Sequence, residues 1–202
     1  TIMRNPINHV IDADLKGFFD NVSHEWMMKF LRVRIVAPSF LLLVQRFLKA
    51  GYMDAGMFVS TEQGTPQGGN LSPVLSNIFL HYVLDEWFSE QIQPLLKGKS
   101  FIIRWADDFV LGFTDKSDAE RVMAVLPKRF AKYGLALHPD KTRLIDLNAN
   151  RGGQGRSFDF LGFTHFLSKS QKGHMVLKRK TSSKRLTRSI RHVNAYIKRN
   201  RH

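Results

Sequence analysis

Apolar residues fall into short runs separated by polar or glycine-bearing stretches, and the runs follow either strand or helix spacing. Asn8 to Leu15 reads as a short buried strand with acids at its far end. Ser23 offers an N-cap, and Glu25 falls in the first turn of a helix running to about Ile35. Pro38 and Ser39 open a second helix, Phe40 to Ala50, rich in Leu and Phe. Gly51 to Ser60 has the pattern of a hairpin around Asp54-Ala55-Gly56. A glycine-rich loop, Gly64 to Asn70, then feeds Ser72-Pro73 and a long amphipathic helix. Its stripe is Val74, Leu75, Ile78, Phe79, Tyr82 and Trp87, and Pro94 lies just beyond its end.

Phe101 to Ala106 and Phe109 to Phe113 are two apolar runs separated by Asp107-Asp108, which predicts a hairpin with acids in its turn. Asp118 to Lys132 predicts a helix stopped by Gly134, and Thr142 to Leu147 another strand. Asn148 to Arg156 is a polar loop. Phe158 to Leu167 and Met175 to Lys178 predict a second hairpin turning near Lys172-Gly173, and from Ser182 the spacing is helical. The order strand, helices, strand, strand, helix, strand is that of an α+β fold with a ferredoxin-like split βαβ antiparallel sheet. In that topology the first two of these strands run parallel. Asp14 and the pair Asp107-Asp108 therefore meet at one sheet edge, with strands about 4.8 Å apart.

Composition narrows the chemistry. The 202 residues hold 31 Lys+Arg, 17 Asp+Glu and no cysteine, which removes disulfide scaffolds, thiol catalysis and cysteine-based metal sites. No run of about 18 uninterrupted apolar residues is present, so no membrane partner is expected. The net charge of +14 is uneven: residues 151–202 carry 14 basic residues and one acid, Asp159. A block including Lys178, Arg179, Lys180, Lys184, Arg185, Arg188 and Arg191 is a candidate surface for a polyanion, with Leu186, Ile190, Val193 and Ile197 interleaved at helical spacing. A solvated basic tail is the bland alternative.

Three carboxylates at one edge are costly unless cations neutralise them. Without cysteine or paired histidines, the donors favour Mg²⁺, with Mn²⁺ possible, over zinc. Two such ions about 3.5–4 Å apart suit phosphoryl transfer. Asp12-Ala13-Asp14 also fits the loose Asp-x-Asp pattern of glycosyltransferases, and a merely solvated acid pair is a third reading.

Five segments in order resemble the palm of a reverse transcriptase, most closely the group II intron-encoded reverse transcriptase/maturases. They are Val10-Ile11-Asp12-Ala13-Asp14-Leu15-Lys16-Gly17-Phe18-Phe19-Asp20, Gly64-Thr65-Pro66-Gln67-Gly68-Gly69-Asn70-Leu71-Ser72-Pro73, Arg104-Trp105-Ala106-Asp107-Asp108-Phe109, Gly134-Leu135 through Lys141-Thr142, and Phe158-Asp159-Phe160-Leu161-Gly162-Phe163. The resemblance implies a palm over residues 1–167, then a connecting hairpin and the start of a basic thumb helix over 168–202.

Asp12 and Asp14 lie two apart on a strand and face the same way, so periodicity does not choose between them. The resemblance chooses Asp14, with Asp12 as the rival. It makes Asp14, Asp107 and Asp108 catalytic, Asp108 the weaker, and has Asp14, Asp107 and the Leu15 carbonyl hold two Mg²⁺ ions. Phe19 becomes a steric gate against a ribose 2′-hydroxyl, while Phe18 packs in the core. Gln67, Gly68 and Lys141 face the nucleotide. Trp105, standing where the family usually has Tyr, would lie under the primer end. Phe160, Leu161 and Gly162 would grip the primer, and Lys178, Arg179, Lys180 and Arg185 would meet the phosphates.

The implied partners are an RNA template, a DNA primer or RNA–DNA hybrid, deoxynucleoside triphosphates and group II intron RNA, in a bacterial cytoplasm or an organelle. The family's fingers region, which precedes the first motif, has no counterpart here, so the isolated chain is expected to polymerise weakly; another chain or segment would supply it. A non-catalytic RNA-binding maturase module, a bacterial-defence relative and an RNA-dependent RNA polymerase palm are the alternatives, the last disfavoured by Phe19.

Overall fold

A computed structural model describes residues 7–54, 57–59, 63–65, 71–147 and 157–201. Strand β1 (His9–Ala13) is followed by a 3₁₀ turn (Phe18–Asp20) and helix α1 (His24–Arg32). The Ser23 hydroxyl accepts from the Trp26 amide at 3.4 Å, as its N-cap position requires. Helix α2 (Pro38–Lys49) starts on the proline, whose missing N–H costs nothing in a first turn. A short antiparallel pair, β2 (Tyr52–Asp54) and β3 (Met57–Val59), precedes α3 (Ser72–Leu80). That helix widens into π turns over His81–Asp85 and Trp87–Ile92 and closes in a 3₁₀ turn that includes Pro94. Then come β4 (Ser100–Trp105), β5 (Asp108–Phe113), α4 (Lys116–Ala131, capped by Asp115), β6 (Arg143–Asp146), β7 (Ser157–Phe160), β8 (Phe163–Lys169), β9 (Met175–Thr181) and α5 (Ser183–Arg199).

The main sheet has the order β4-β5-β1-β6 with every neighbour antiparallel, so β1 and β4 run parallel with β5 between them. This is the ferredoxin-like order expected from the pattern, and the fold is α+β. The two acid-bearing strands β1 and β4 run parallel, as expected, with β5 between them. The two-residue connection is Ala106-Asp107, and Asp108 already belongs to β5.

Strand alternation assigns the two faces. Ile11, Ala13, Phe109, Leu111 and Phe113 point into a core with α1, α3 and α4, where Phe79, Phe88 and Phe130 are fully buried. Truncating any of these phenylalanines to alanine costs about 3–5 kcal/mol. Val10, Val110 and Ile145 point the other way and meet Phe158 of β7 in a second, smaller cluster. By the same alternation Asp12 shares the face of Val10, and Asp108 shares the face of Val110. The helices thus cover one face, and the acids lie on the other, beside β7. Val74, expected in the apolar stripe of α3, is 55% exposed, because the helix turns the face of Leu75, Ser76, Phe79 and Leu80 into the core.

The single strand expected over Phe158 to Leu167 is in fact two. Phe160 pairs directly with Phe163 across a two-residue turn in which Leu161 has φ 52° and Gly162 φ 79°. Positive φ at both central residues is what a tight antiparallel turn needs, so a three-stranded sheet β7-β8-β9 replaces the expected hairpin. β8 runs unbroken through residues 167 and 168, so the division expected there falls inside a strand.

Gly112 lies opposite Phe101 in the β4–β5 ladder, and a Cβ added to it would sit 2.3 Å from the Phe101 ring. Gly112→Ala is expected to lower stability by about 1–3 kcal/mol in urea unfolding. Combining it with Phe101→Ala should make the glycine substitution nearly neutral. Equal losses in both backgrounds would show that the ring is not what the new methyl meets.

Candidate active site

The acid edge is built by pairings on both sides of β1. Past its end the chain continues beside residues 136–138: the Lys16 amide donates to the Ala136 carbonyl and the His138 amide to the Asp14 carbonyl, both at 2.8 Å. Leu15 bridges Leu137 in the same stretch and is buried. The chain then turns, with the Lys141 and Thr142 amides both donating to the His138 carbonyl, and this delivers the Lys141 ammonium onto the Asp14 carboxylate. One register step further, Arg143 of β6 lies across from Asp12 and reaches its Oδ2 through Nη2 at 3.2 Å and Nε at 3.3 Å. The two acids that periodicity could not separate therefore have different partners. Asp12 is held by a guanidinium that stays charged, Asp14 by an exposed, flexible lysine.

Asp107 and Asp108 approach from the β4–β5 connection. Burial pushes the Asp108 carboxyl above its ordinary value, and the negative charges of Asp107 and Asp14 push the same way against Lys141. The Lys141 ammonium is held above its usual value, first by its hydrogen bond to Asp14, with Asp108 and Asp107 adding to the pull. Asp14, Asp107, Asp108 and Lys141 are thus one electrostatic unit. Asp12 is also raised, by burial above all, with Asp159 and Asp108 adding to it and Arg143 opposing. Among the described residues no group of three or more histidines or acids stands ready-made as a metal-ligand cluster. The donors converging here are hard carboxylate oxygens with excess negative charge, the chemistry that suits Mg²⁺ or Mn²⁺.

All of these groups but Asp107 border a cavity of about 470 Å³, lined by Asp12, Asp14, Asp108, Phe109, Asp140, Lys141 and Arg143 together with Asp159, Phe160 and Lys184. A second cavity of about 530 Å³, between α1 and α3, is lined mostly by Phe30, Leu31, Ile35, Val74, Ile78 and Tyr82 and offers no carboxylate. Asp140, Arg143 and Asp159 are not among the site residues expected from the sequence, and Lys184 is expected there only as part of the basic block. The signal for Asp159 was present, since it is the lone acid in the basic last quarter.

Other expected residues surround this edge. Phe19 is half-buried on the 3₁₀ turn, its ring 5.3 Å from that of Phe18, which is buried. The Phe19 carbonyl accepts from the Thr65 amide at 2.7 Å, and the Gly64 amide donates to Val22 at 2.8 Å. A Cβ on Gly64 would lie 2.8 Å from the carbonyl oxygens of Phe19 and Asp20, so this close approach requires glycine. Gln67 and Gly68 lie outside the described residues. Trp105 is 68% exposed at the end of β4. Phe160 lines the cavity, and Leu161 and Gly162 form the tight turn. The Arg185 side chain of α5 packs on that turn, where a Cβ at Gly162 would meet its Nη1 at 2.5 Å. On β9, Lys178 donates to the Lys169 carbonyl, while Arg179 and Lys180 lie over the rings of Phe163 and Phe166.

Comparison with known proteins converges on one family. Residues 4–165 match the model described as reverse transcriptase (RNA-dependent DNA polymerase). Protein YkfC of Escherichia coli is 32% identical over 196 residues, covering 82% of this chain and 49% of YkfC, so the chain spans about half of that relative. The group II intron-encoded protein LtrA of Lactococcus lactis is 42% identical over 71 residues, 35% of this chain and 12% of LtrA. Among solved structures, telomerase from Candida albicans in complex with a fragment of telomeric RNA superposes with a TM-score of 0.63 at 18% identity, covering 81% of this chain and 31% of that one. This last likeness speaks for the fold, the matched family for the motifs that the fold brings together. The chain belongs to the reverse transcriptase family.

Proposed function

We propose that this chain is the catalytic palm of an RNA-directed DNA polymerase of the group II intron type. The observation that carries the reading is the convergence of Asp14, Asp108 and Lys141 on one cavity at the sheet face the helices leave uncovered, with Asp107 beside them in the β4–β5 turn and acting on the charges of Asp108 and Lys141. Asp14, Asp107 and the Leu15 carbonyl hold two Mg²⁺ ions in this reading, Mn²⁺ serving as a substitute, and Asp108 supports them more weakly. The bound ions supply activation of the primer 3′-hydroxyl and stabilisation of the leaving pyrophosphate.

The protein's own groups do the rest. Lys141 leaves Asp14 for the triphosphate and donates a proton to the departing pyrophosphate oxygen. Phe19 fills the space a 2′-hydroxyl would need, and Gln67 and Gly68 serve the incoming nucleotide, as the resemblance implies. Trp105 stacks under the primer end, Phe160, Leu161 and Gly162 hold the primer strand, and Lys178, Arg179, Lys180 and Arg185 neutralise backbone phosphates. Asp12, committed to Arg143, is a structural acid rather than a ligand. The template is intron RNA in this reading, and the primer is DNA. Among the described residues no helix is long and apolar enough to cross a membrane.

Primer extension on an RNA template with Mg²⁺ tests the reading, on this chain and on a version with an added fingers segment. RNA-templated deoxynucleotide incorporation is expected in at least one of them and should vanish in Asp107→Asn while salt-dependent RNA binding persists. RNA binding with no incorporation in either would instead support a maturase module without catalysis. In the extending form, Phe19→Ala should reduce discrimination against ribonucleotides on the order of 10²-fold; unchanged selectivity would remove Phe19 from the sugar pocket.

The structural role of Asp12 predicts a pH dependence. Its folded-state pKa is raised by burial, so below the unfolded value of about 3.9 both states are protonated and nothing is lost. As pH rises through the folded pKa, the wild type loses stability that Asp12→Asn keeps. The melting temperature of Asp12→Asn minus that of wild type should therefore increase between about pH 3 and pH 7. A flat or falling difference would contradict the assignment.

A further inference from the structure

Arg104, the β4 residue just before Trp105, is only 12% exposed and makes four hydrogen bonds with one guanidinium. Nε and Nη2 form a bidentate pair with Asp85, at 2.8 Å to Oδ1 and 2.6 Å to Oδ2. Nη1 donates to Asn77 Oδ1 at 2.8 Å and to the main-chain carbonyl of Ala106 at 2.9 Å. His81 Nδ1 stands 3.9 Å from the same Asp85 oxygen, which leaves the arginine as the principal partner.

The acceptor in the last of these bonds matters most. Ala106 has φ 55°, a left-handed conformation that costs an L-residue roughly 1–2 kcal/mol. It is the first central residue of the Ala106-Asp107 turn, a position where glycine is usual. Such strain persists only where the surroundings impose it. Here they do so through the carbonyl of Ala106, which belongs to the peptide joining it to Asp107.

The helix on the other side is shaped to match. Over eight residues of regular α-helix Asn77 and Asp85 would stand about 80° apart around the axis. The wider π turn over His81–Asp85 takes up that angle, and both side chains reach the same guanidinium.

We propose that Arg104, gripped by Asp85 and Asn77, is a positioning residue that fixes the Ala106–Asp107 peptide and so sets where the Asp107 carboxylate stands. Its catalytic consequence rests on the polymerase reading; the clamp itself does not. Lysine cannot substitute, because a single ammonium does not span a carboxylate and a carbonyl in the fixed geometry of the fork.

Backbone ¹⁵N relaxation on the full chain separates clamping of the turn from a general contribution to stability. In Asp85→Asn and Arg104→Lys the order parameters of the Ala106 and Asp107 amides should fall from the rigid value of about 0.85 to below about 0.6. Those of Ile102 and Ile103 in the middle of β4 should not change. Asn77→Ala, which removes one support, should give a smaller drop and remains readable if the other variants fold poorly. In an extending form, the same substitutions should lower kcat about tenfold or more while KM for the deoxynucleotide stays within about twofold, the signature of a misplaced group. Order parameters that stay at the wild-type level in folded variants overturn the clamp. A loosened turn in a wild-type chain that never extends a primer leaves the clamp standing and removes the polymerase reading instead.

Discussion

Two antiparallel pairings of one five-residue strand place the charged groups of this molecule. β1 lies between β5 and β6, and its register with each is fixed by the need to bury Ile11 and Ala13 against the helices. A slip of one residue would turn every side chain to the opposite face, putting Asp12 into a core of phenylalanines. The same register sets Arg143 across from Asp12, extends past the strand end to bring Lys141 to Asp14, and delivers Asp108 on the neighbouring strand. Hydrophobic burial on one face thus specifies electrostatics on the other.

This division of labour explains how a cluster of like charges is tolerated. The face carrying the acids is only partly covered, by Phe158 and its neighbours at one end, and the end that holds the carboxylates keeps contact with solvent. Each acid that is drawn inward has a cation near it, Arg143 for Asp12 and Lys141 for Asp14. The two differ in kind: the guanidinium is locked across a ladder, while the ammonium sits on a mobile stem and is free to exchange partners.

Much of this was legible in the sequence because it is local. The run ending in Asp14, the hairpin around residues 105–108 and the order of strands and helices all leave period-two or helical traces, and the fold follows from them. What stayed hidden depends on contacts between distant positions or on backbone angles. Leu161 at φ 52° breaks what reads as one continuous apolar strand, because an aliphatic residue gives no sign of a left-handed conformation. The π turns of α3 keep an apolar stripe close to that of an ordinary helix, so the rotation that aims Asp85 at Arg104 is invisible. Asp12 and Asp14 are indistinguishable by spacing, and only the opposing strand and loop reveal that their partners differ.

The close approach of Gly64 to the carbonyls of Phe19 and Asp20 has a consequence for how this protein can change. The segment that carries the aromatic ring of residue 19 and the segment of residues 64 and 65 lie main chain against main chain, with no side chain between them to absorb a shift. A substitution that moves either will drag the other, so evolution can retune the two only together, through compensating pairs rather than single steps.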